Sequence, residues 1–173
     1  MDPICQIKPA TFNDLAAIAF IQVQAWQQAY VGLLPQAYLD SLDRKTCQQQ
    51  WEAIFKGALA TDIMYVASNQ TQPIGFIAFG AARDQQGVDF GEIYAIYLLK
   101  EYWGKSIGYG LFNLAKNQLR LMGFRRAYLW VLDTNKQAIN AYSKWAGVID
   151  HHFTMDTTIG GQPVKEIMVR FEL

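Results

Sequence analysis

Between Glu92 and Leu111 the chain reads Glu-Ile-Tyr-Ala-Ile-Tyr-Leu-Leu-Lys-Glu-Tyr-Trp-Gly-Lys-Ser-Ile-Gly-Tyr-Gly-Leu. Gly104, Lys105, Ser106 and Gly108 fall where a strand-like run gives way to a helical one. A glycine-bearing turn that feeds a helix points free backbone N–H groups and the positive end of the helix dipole outward. That is the chemistry of a phosphate or diphosphate cradle. Two familiar cradles do not fit. A nucleotide-triphosphate P-loop ending in Gly104-Lys105-Ser106 needs a glycine at position 99, where Leu99 stands. A dinucleotide fingerprint starting at Gly108-x-Gly110 needs a third glycine at position 113, where Asn113 stands.

The elements that must position this turn are legible on either side of it. Ile93, Tyr94, Ile96, Tyr97 and Leu98 are β-branched, aromatic or aliphatic and predict a buried strand. Ile107, Leu111, Leu114, Ala115, Leu119 and Met122 then repeat at helical period. Upstream, Cys5 to Lys8 predicts a short strand, and Thr11-Phe12-Asn13-Asp14 a capping box. The helix it opens carries Leu15, Ile18, Ala19, Val23 and Trp26 on one face, with a break at Gln22. Gly32 and Pro35 end it. Gln36 to Phe55 predicts two helical pieces around Asp40 to Asp43, with Leu39, Leu42, Trp51, Ile54 and Phe55 towards the core. Ile63 to Ala67 and Ile74 to Phe79 predict a hairpin through the polar turn Asn69 to Pro73. Downstream, Arg126 to Leu132 predicts a strand. Asp133-Thr134-Asn135 caps a helix with face Ala138, Ile139, Tyr142, Trp145, stopped at Gly147. Val148 to Thr154 and Val164 to Phe171 predict strands joined through Gly160-Gly161.

Composition narrows the function classes. With 173 residues, of which 51% are apolar, the chain predicts one globular domain, residues 1–173. Lys plus Arg and Asp plus Glu number 15 each, which gives no general pull towards nucleic acid or an anionic membrane. No apolar run approaches a bilayer span, and Met-Asp-Pro-Ile-Cys lacks a signal-peptide pattern. Cys5 and Cys47 lack metal spacing and predict reduced thiols, hence a cytoplasmic protein. His151-His152 predicts no metal site, because adjacent strand residues point to opposite faces.

Trp103-Gly104-Lys105-Ser106-Ile107-Gly108 between strand and helix resembles the acyl-CoA signature of the GNAT superfamily of N-acetyltransferases, Gln/Arg-x-x-Gly-x-Gly/Ala. Gly108 matches; Trp103 and Ser106 replace the usual Gln/Arg and first glycine. A second block, Asn135-x-x-Ala138-Ile139-x-x-Tyr142-x-Lys144-x-x-Gly147, resembles the superfamily's Asn-x-x-Ala-x-x-x-Tyr-x-x-x-Gly helix. Both stand in the right order at the right separation. The resemblance implies an α/β (α+β) fold: a central mixed, mostly antiparallel sheet of about seven strands flanked by helices.

It also implies an acetyl-CoA-dependent N-acetyltransferase acting on a small-molecule primary amine by direct transfer, with no metal. Glu92 falls where several members carry a general base. Read as a regular strand, it shares a face with Tyr94, Ile96 and Leu98, whose aromatic surroundings would favour a proton acceptor. Tyr142 falls where the family places the proton donor to the CoA sulfur. Tyr97 and Leu98 would meet the pantetheine arm through their backbones, with the Leu98 N–H as oxyanion donor. Trp103, Gly104, Lys105, Ser106, Ile107, Gly108 and Tyr109 would wrap the diphosphate, with Ser106 adding bulk that weakens the grip. Asn135 would both cap its helix and touch pantetheine. Trp26, Tyr30 and Tyr94, with Tyr38, either wall the acceptor pocket or simply pack. The resemblance admits a homodimer. Two readings compete: an acyl-CoA-binding protein that has lost catalysis, and a protein N-terminal or lysine acetyltransferase. A nucleotide-binding switch is disfavoured by the failed P-loop.

Overall fold

A computed structural model describes residues 5–57, 62–84 and 87–173. Its elements are β1 (Gln6–Pro9), α1 (Leu15–Ala29), α2 (Gln36–Ser41), α3 (Arg44–Gly57), β2 (Ile63–Ser68), β3 (Pro73–Ala81) and β4 (Phe90–Leu98). α4 (Ile107–Leu121), β5 (Arg126–Leu132), α5 (Lys136–Lys144), β6 (Val148–Ile159) and β7 (Gln162–Glu172) follow. The strands form one seven-stranded sheet in the order β1-β2-β3-β4-β5-β7-β6. Every neighbouring pair is antiparallel except β4 with β5. The order of elements follows the expected one, and β6 and β7 run longer than expected. Among the described residues no helix is long and apolar enough to cross a membrane.

Alternation along the strands sorts the side chains into two cores. One face carries Ile77, Phe79, Leu129, Val131, Val169 and Phe171 against α4, which inserts Ile107, Leu111, Phe112, Ala115 and Leu119. The other carries Val66, Phe76 and Ala78 against Leu15, Ile18 and Val23 of α1 and Cys47 and Trp51 of α3. Burying a side chain such as Phe112 stabilises the fold by roughly 1.5–3 kcal/mol. The polar break at Gln22 has a purpose: its Oε1 accepts from the Trp51 indole at 2.6 Å, joining α1 to α3. Ile54 does not face the core. α3 buries Cys47 and Trp51, four residues apart, and Ile54 turns off that stripe to stand 53% exposed.

Two irregularities shape the middle of the sheet. Opposite β3, the register of β4 jumps from Ile93 to Ala95, so Tyr94 is an extra residue in a β-bulge. The bulge shifts the alternation. Glu92 and Tyr94 share a face, whereas Ile96 and Leu98 pack with Ile93 in the α4 core. The expected common face of Glu92, Tyr94, Ile96 and Leu98 is therefore broken after Tyr94. Second, β4 and β5 pair only through Phe90–Arg126, Gly91–Ala127 and Glu92–Tyr128. Beyond Glu92 the ladder ends, and a cleft opens between the strands.

α5 stops before Gly147 as expected, and the way it stops is specific. The left-handed residue is Ala146, at φ 65°, and not Gly147. Gly147 N–H bonds to Tyr142 O at 2.9 Å and Ala146 N–H to Ser143 O at 3.2 Å, which is a Schellman closure. Gly147 is needed for proximity. A Cβ there would lie 2.6 Å from Val169 Cγ1, 2.7 Å from Phe171 Cε1 and 2.8 Å from Tyr142 O. Gly147→Ala should therefore cost roughly 1–3 kcal/mol by overpacking. Ala146→Gly should add about 1 kcal/mol by relieving the left-handed backbone. Denaturant unfolding of both variants checks the pair, and equal stabilities would contradict this account.

Candidate active site

The turn before α4 is built around two left-handed residues, Gly104 at φ 72° and Ser106 at φ 60°. Ser106 is the N-cap of α4 and makes no side-chain capping bond. A glycine would adopt its φ without strain, which is a reason for that residue type beyond the bulk expected from sequence. Among the described residues, the N–H groups from Gly104 through Tyr109 donate to no main-chain carbonyl outside the regular ladders; the next amide, Gly110, bonds to Ser106 O at 2.9 Å. No side-chain acceptor reaches them either. The result is a run of six unpaired donors at the positive end of a 15-residue helix. An added Cβ at Gly108 would first meet Trp145, at 3.5 Å.

Trp145 joins the two sequence blocks. Its ring lies 5.1 Å from Phe112, 6.0 Å from Tyr109 and 5.6 Å from Tyr142. The turn and α5 thus flank one cavity of about 980 Å³, which runs through the β4–β5 cleft. Of the expected site residues, Trp26, Tyr30, Glu92, Tyr94, Tyr97, Leu98, Trp103, Gly104, Ser106, Gly108, Tyr109, Asn135 and Tyr142 line it. Lys105 and Ile107 do not. The Lys105 ammonium sits 5.2 Å from the Tyr102 ring centroid, and Ile107 is buried in the core.

Backbone groups along the cleft are sorted by alternation. Leu99 N–H donates to Ile74 O at 3.0 Å, so the preceding residue, Leu98, turns its N–H and carbonyl away from β3 and towards the cleft. The Trp103 indole takes the Leu98 carbonyl at 2.8 Å. Asn135 is buried and caps α5, its Oδ1 accepting from Ala138 N–H at 3.1 Å. Burial, and then the nearby Tyr97, push the Tyr142 phenol well above its usual range. It stays protonated at neutral pH.

The opposite end of the cavity is aromatic. Trp26 stands 5.0 Å from Tyr30 and 6.4 Å from Tyr97, ring to ring, at angles of 69° and 54°. The Trp26 Nε1 is buried close to the Tyr97 side chain, and among the described residues no acceptor meets it in good hydrogen-bond geometry. Tyr38 does not line the cavity. It packs on Trp26 and against Gly160 at the β6–β7 turn, where a Cβ would lie 2.5 Å from Tyr38 Cβ. Tyr94 has its hydroxyl engaged with Ala81 O at 2.7 Å and Asp62 Oδ1 at 3.0 Å.

Glu92 is 3% exposed, but its surroundings are polar. Its Oε2 accepts from the Arg83 N–H at 2.9 Å, Arg83 Nε at 3.1 Å and Tyr128 hydroxyl at 3.1 Å. Its Oε1 accepts from Arg83 Nη2 at 2.6 Å. The expected aromatic environment is thus replaced by a guanidinium, which also lies 4.3 Å from the centroid of the Tyr94 ring. A second carboxylate lines the cavity: Glu166 of β7, opposite Leu132 on one side and Met155 on the other. Sequence reasoning passed over it, and over Arg83 and Lys144 in the lining. Glu166 reads locally as one polar residue in an alternating strand, and only the register places it. Among the described residues no group of three His, Cys, Asp or Glu is placed to hold a metal ion. His151 and His152 are exposed where β6 slips its register on β7.

Comparison with known proteins agrees with this architecture. Residues 23–148 match the acetyltransferase (GNAT) family. The chain is 33% identical over 142 residues to YuaI of Bacillus subtilis (strain 168), an uncharacterized N-acetyltransferase, covering 79% of this chain and 78% of that one. Among solved structures, PaiA N-acetyltransferase of Thermoplasma acidophilum in complex with coenzyme A superposes with a TM-score of 0.75 at 18% identity, over 98% of this chain and 99% of that one. Ribosomal-protein-alanine N-acetyltransferase of Brucella melitensis gives 0.73 at 19%, over 97% and 99%. These two show a shared fold. With the family matched over more than half its length, the chain belongs to the GNAT family of acetyltransferases.

Proposed function

We propose that this protein transfers an acetyl group from acetyl-CoA directly to the primary amine of a small molecule. The observation that carries the reading is the run of unpaired amides from Gly104 to Tyr109, of which Gly104, Ser106, Gly108 and Tyr109 line the same cavity as Tyr142. Orphan N–H groups at a helix start suit a diphosphate, and the nearest contact of an added Cβ at Gly108, 3.5 Å, leaves room for close approach. The PaiA relative, solved with coenzyme A, supports the same choice of ligand.

Acetyl-CoA supplies an acyl group already activated as a thioester. Asn135, its Oδ1 used in capping, has its amide N–H groups left to meet the pantetheine arm. The Leu98 N–H, turned towards the cleft, is the donor for negative charge developing on the acyl oxygen. Trp103 fixes that segment by holding the Leu98 carbonyl. The Tyr142 hydroxyl holds a proton for the departing sulfur. Glu92, with both oxygens taken by Arg83 and Tyr128, holds Arg83 against Tyr94 in this reading. The β6–β7 hairpin seats Gly160 on Tyr38 and passes Gln162 Nε2 to Leu33 O at 3.3 Å. Ile159 at the end of β6 joins Trp26 and Tyr30 in lining the aromatic end, an apolar wall that suits a small acceptor.

Ser106 holds a left-handed backbone in the cradle, where a glycine would be unstrained. Ser106→Gly should stabilise the protein by about 1 kcal/mol and tighten acetyl-CoA binding. Gly108→Ala should bind acetyl-CoA within about threefold of the parent, whereas Gly108→Glu sets a carboxylate against the diphosphate and should abolish binding. Calorimetric titration with acetyl-CoA reads all three, and undiminished affinity in Gly108→Glu would remove the cradle. Tyr142→Phe should leave acetyl-CoA affinity unchanged and lower kcat roughly 100-fold. The protonated phenol is the working form and burial raises its pKa, so the parent's kcat should not fall on the alkaline side below about pH 10. An unaltered kcat in Tyr142→Phe would eliminate it as the acid.

A further inference from the structure

Two carboxylates line the cavity, and they are in opposite states. Glu92 is covered by Arg83 and Tyr128. Glu166 makes no hydrogen bond or ion pair with a described residue, although it is half-buried and faces the cavity. The alternation of β7 puts it on the face of Val164 and Met168, away from the α4 core that takes Ile167 and Val169. Its neighbours across the sheet, Leu132 and Met155, are apolar and offer it nothing. Burial alone pushes its carboxyl above the usual range. Tyr30 senses burial first, then the Tyr97 and Tyr142 hydroxyls and the Glu166 carboxylate, so the four groups share one neighbourhood. An unpaired carboxylate in an apolar pocket is costly unless a cation completes it.

We propose that Glu166 is the anionic seat of the acceptor. Its carboxylate pairs with the ammonium of a primary monoamine whose apolar or aromatic body packs against Trp26, Tyr30 and Leu34. This rests on the acetyl-transfer reading above and names the acceptor's class. Tilted aromatic rings beside a carboxylate suit an alkylammonium, which gains from both. The charge inventory of the lining sets the class. Glu92 is paired with Arg83, and the other lining cation, Lys144, stands in the last turn of α5 with no ion pair to Glu166, so one carboxylate is left for the acceptor's ammonium. A triply charged polyamine would leave two ammonium groups without counter-charges. An amino acid would bring a second carboxylate against Glu166.

Glu166 then takes the first proton. R–NH3+ gives one N–H proton to the carboxylate and becomes R–NH2. The nitrogen lone pair forms the N–C bond to the acyl carbon while the C–S bond breaks, and Tyr142 protonates the sulfur. The second nitrogen proton restores the Tyr142 phenol, and the proton on Glu166 leaves to solvent. One amide, one thiol and one proton result.

The test uses the full chain with 2-phenylethylamine, spermidine and L-methionine as acceptors. Calorimetry with acetyl-CoA comes first: failure to bind it refutes the acetyl-transfer reading and, with it, this inference. Given binding, 2-phenylethylamine should have the highest kcat/KM of the three. Glu166→Gln should raise its KM at least tenfold, with acetyl-CoA affinity within twofold. It should equally weaken 2-phenylethylamine binding to the CoA-saturated protein, a readout independent of turnover. If Glu166→Gln does not fold, Glu166→Asp, which keeps the charge but retracts it, should give a smaller rise in both values. Unchanged amine affinity in the variant that folds, a preference for spermidine or methionine, or acetylation of none of the three overturns the assignment.

Discussion

The molecule depends on a ladder that stops early. β4 and β5 are the one parallel pair of the sheet, and their register ends at Glu92 and Tyr128. A parallel pair that continued would seal the sheet with side chains above and below and leave no passage between its faces. The bulge at Tyr94 adds twist at the same place. Together they hold a gap open in the centre of a rigid sheet, where loops alone would give a less fixed geometry. The main chain of β4 beyond the gap is then free to offer donors sideways.

What borders the gap comes from opposite directions. From one face, α4 and α5 bring the amide run, Asn135 and Tyr142. From the other, α1 and β7 bring Trp26, Tyr30 and Glu166. Trp145 locks the first group by packing tilted against Phe112 and edge-on against Tyr142. Gly147 permits that packing because α5 can pass close to Val169 and Phe171. The second group is held by the β6–β7 hairpin resting on Tyr38. The turn residues Gly160 and Gly161, at φ 59° and 80°, allow the tight reversal that puts it there.

Much of this was legible because it is local. The turn before α4, the Asn135 cap, the Asn69 turn and the stripes of α1, α4 and α5 are patterns within a few residues of one another, and each was found where expected. The errors lie where tertiary pairing overrides local period. A regular strand puts Glu92 with Ile96, and only the pairing with β3 reveals the extra residue. Gly147 reads as a helix stop and is one, although the backbone turns left-handed one residue earlier and the glycine serves contacts with β7. Ile54 is apolar and sits on a helix, yet Cys47 and Trp51 define a stripe that excludes it. Glu166 carries no local signal at all. Its meaning depends on Leu132, on Met155 and on a helix more than a hundred positions away.

The proposed acetyl transfer seats the acceptor and acyl groups on opposite faces of one sheet, which separates two kinds of sequence change. In that reading the glycines and amides of the turn before α4 answer to a constant ligand and cannot drift far. In the same reading the β6–β7 hairpin and the start of β7 answer only to the proposed amine. Descendants of such a chain can therefore exchange nitrogen partners by remodelling one flank while the thioester machinery stays untouched.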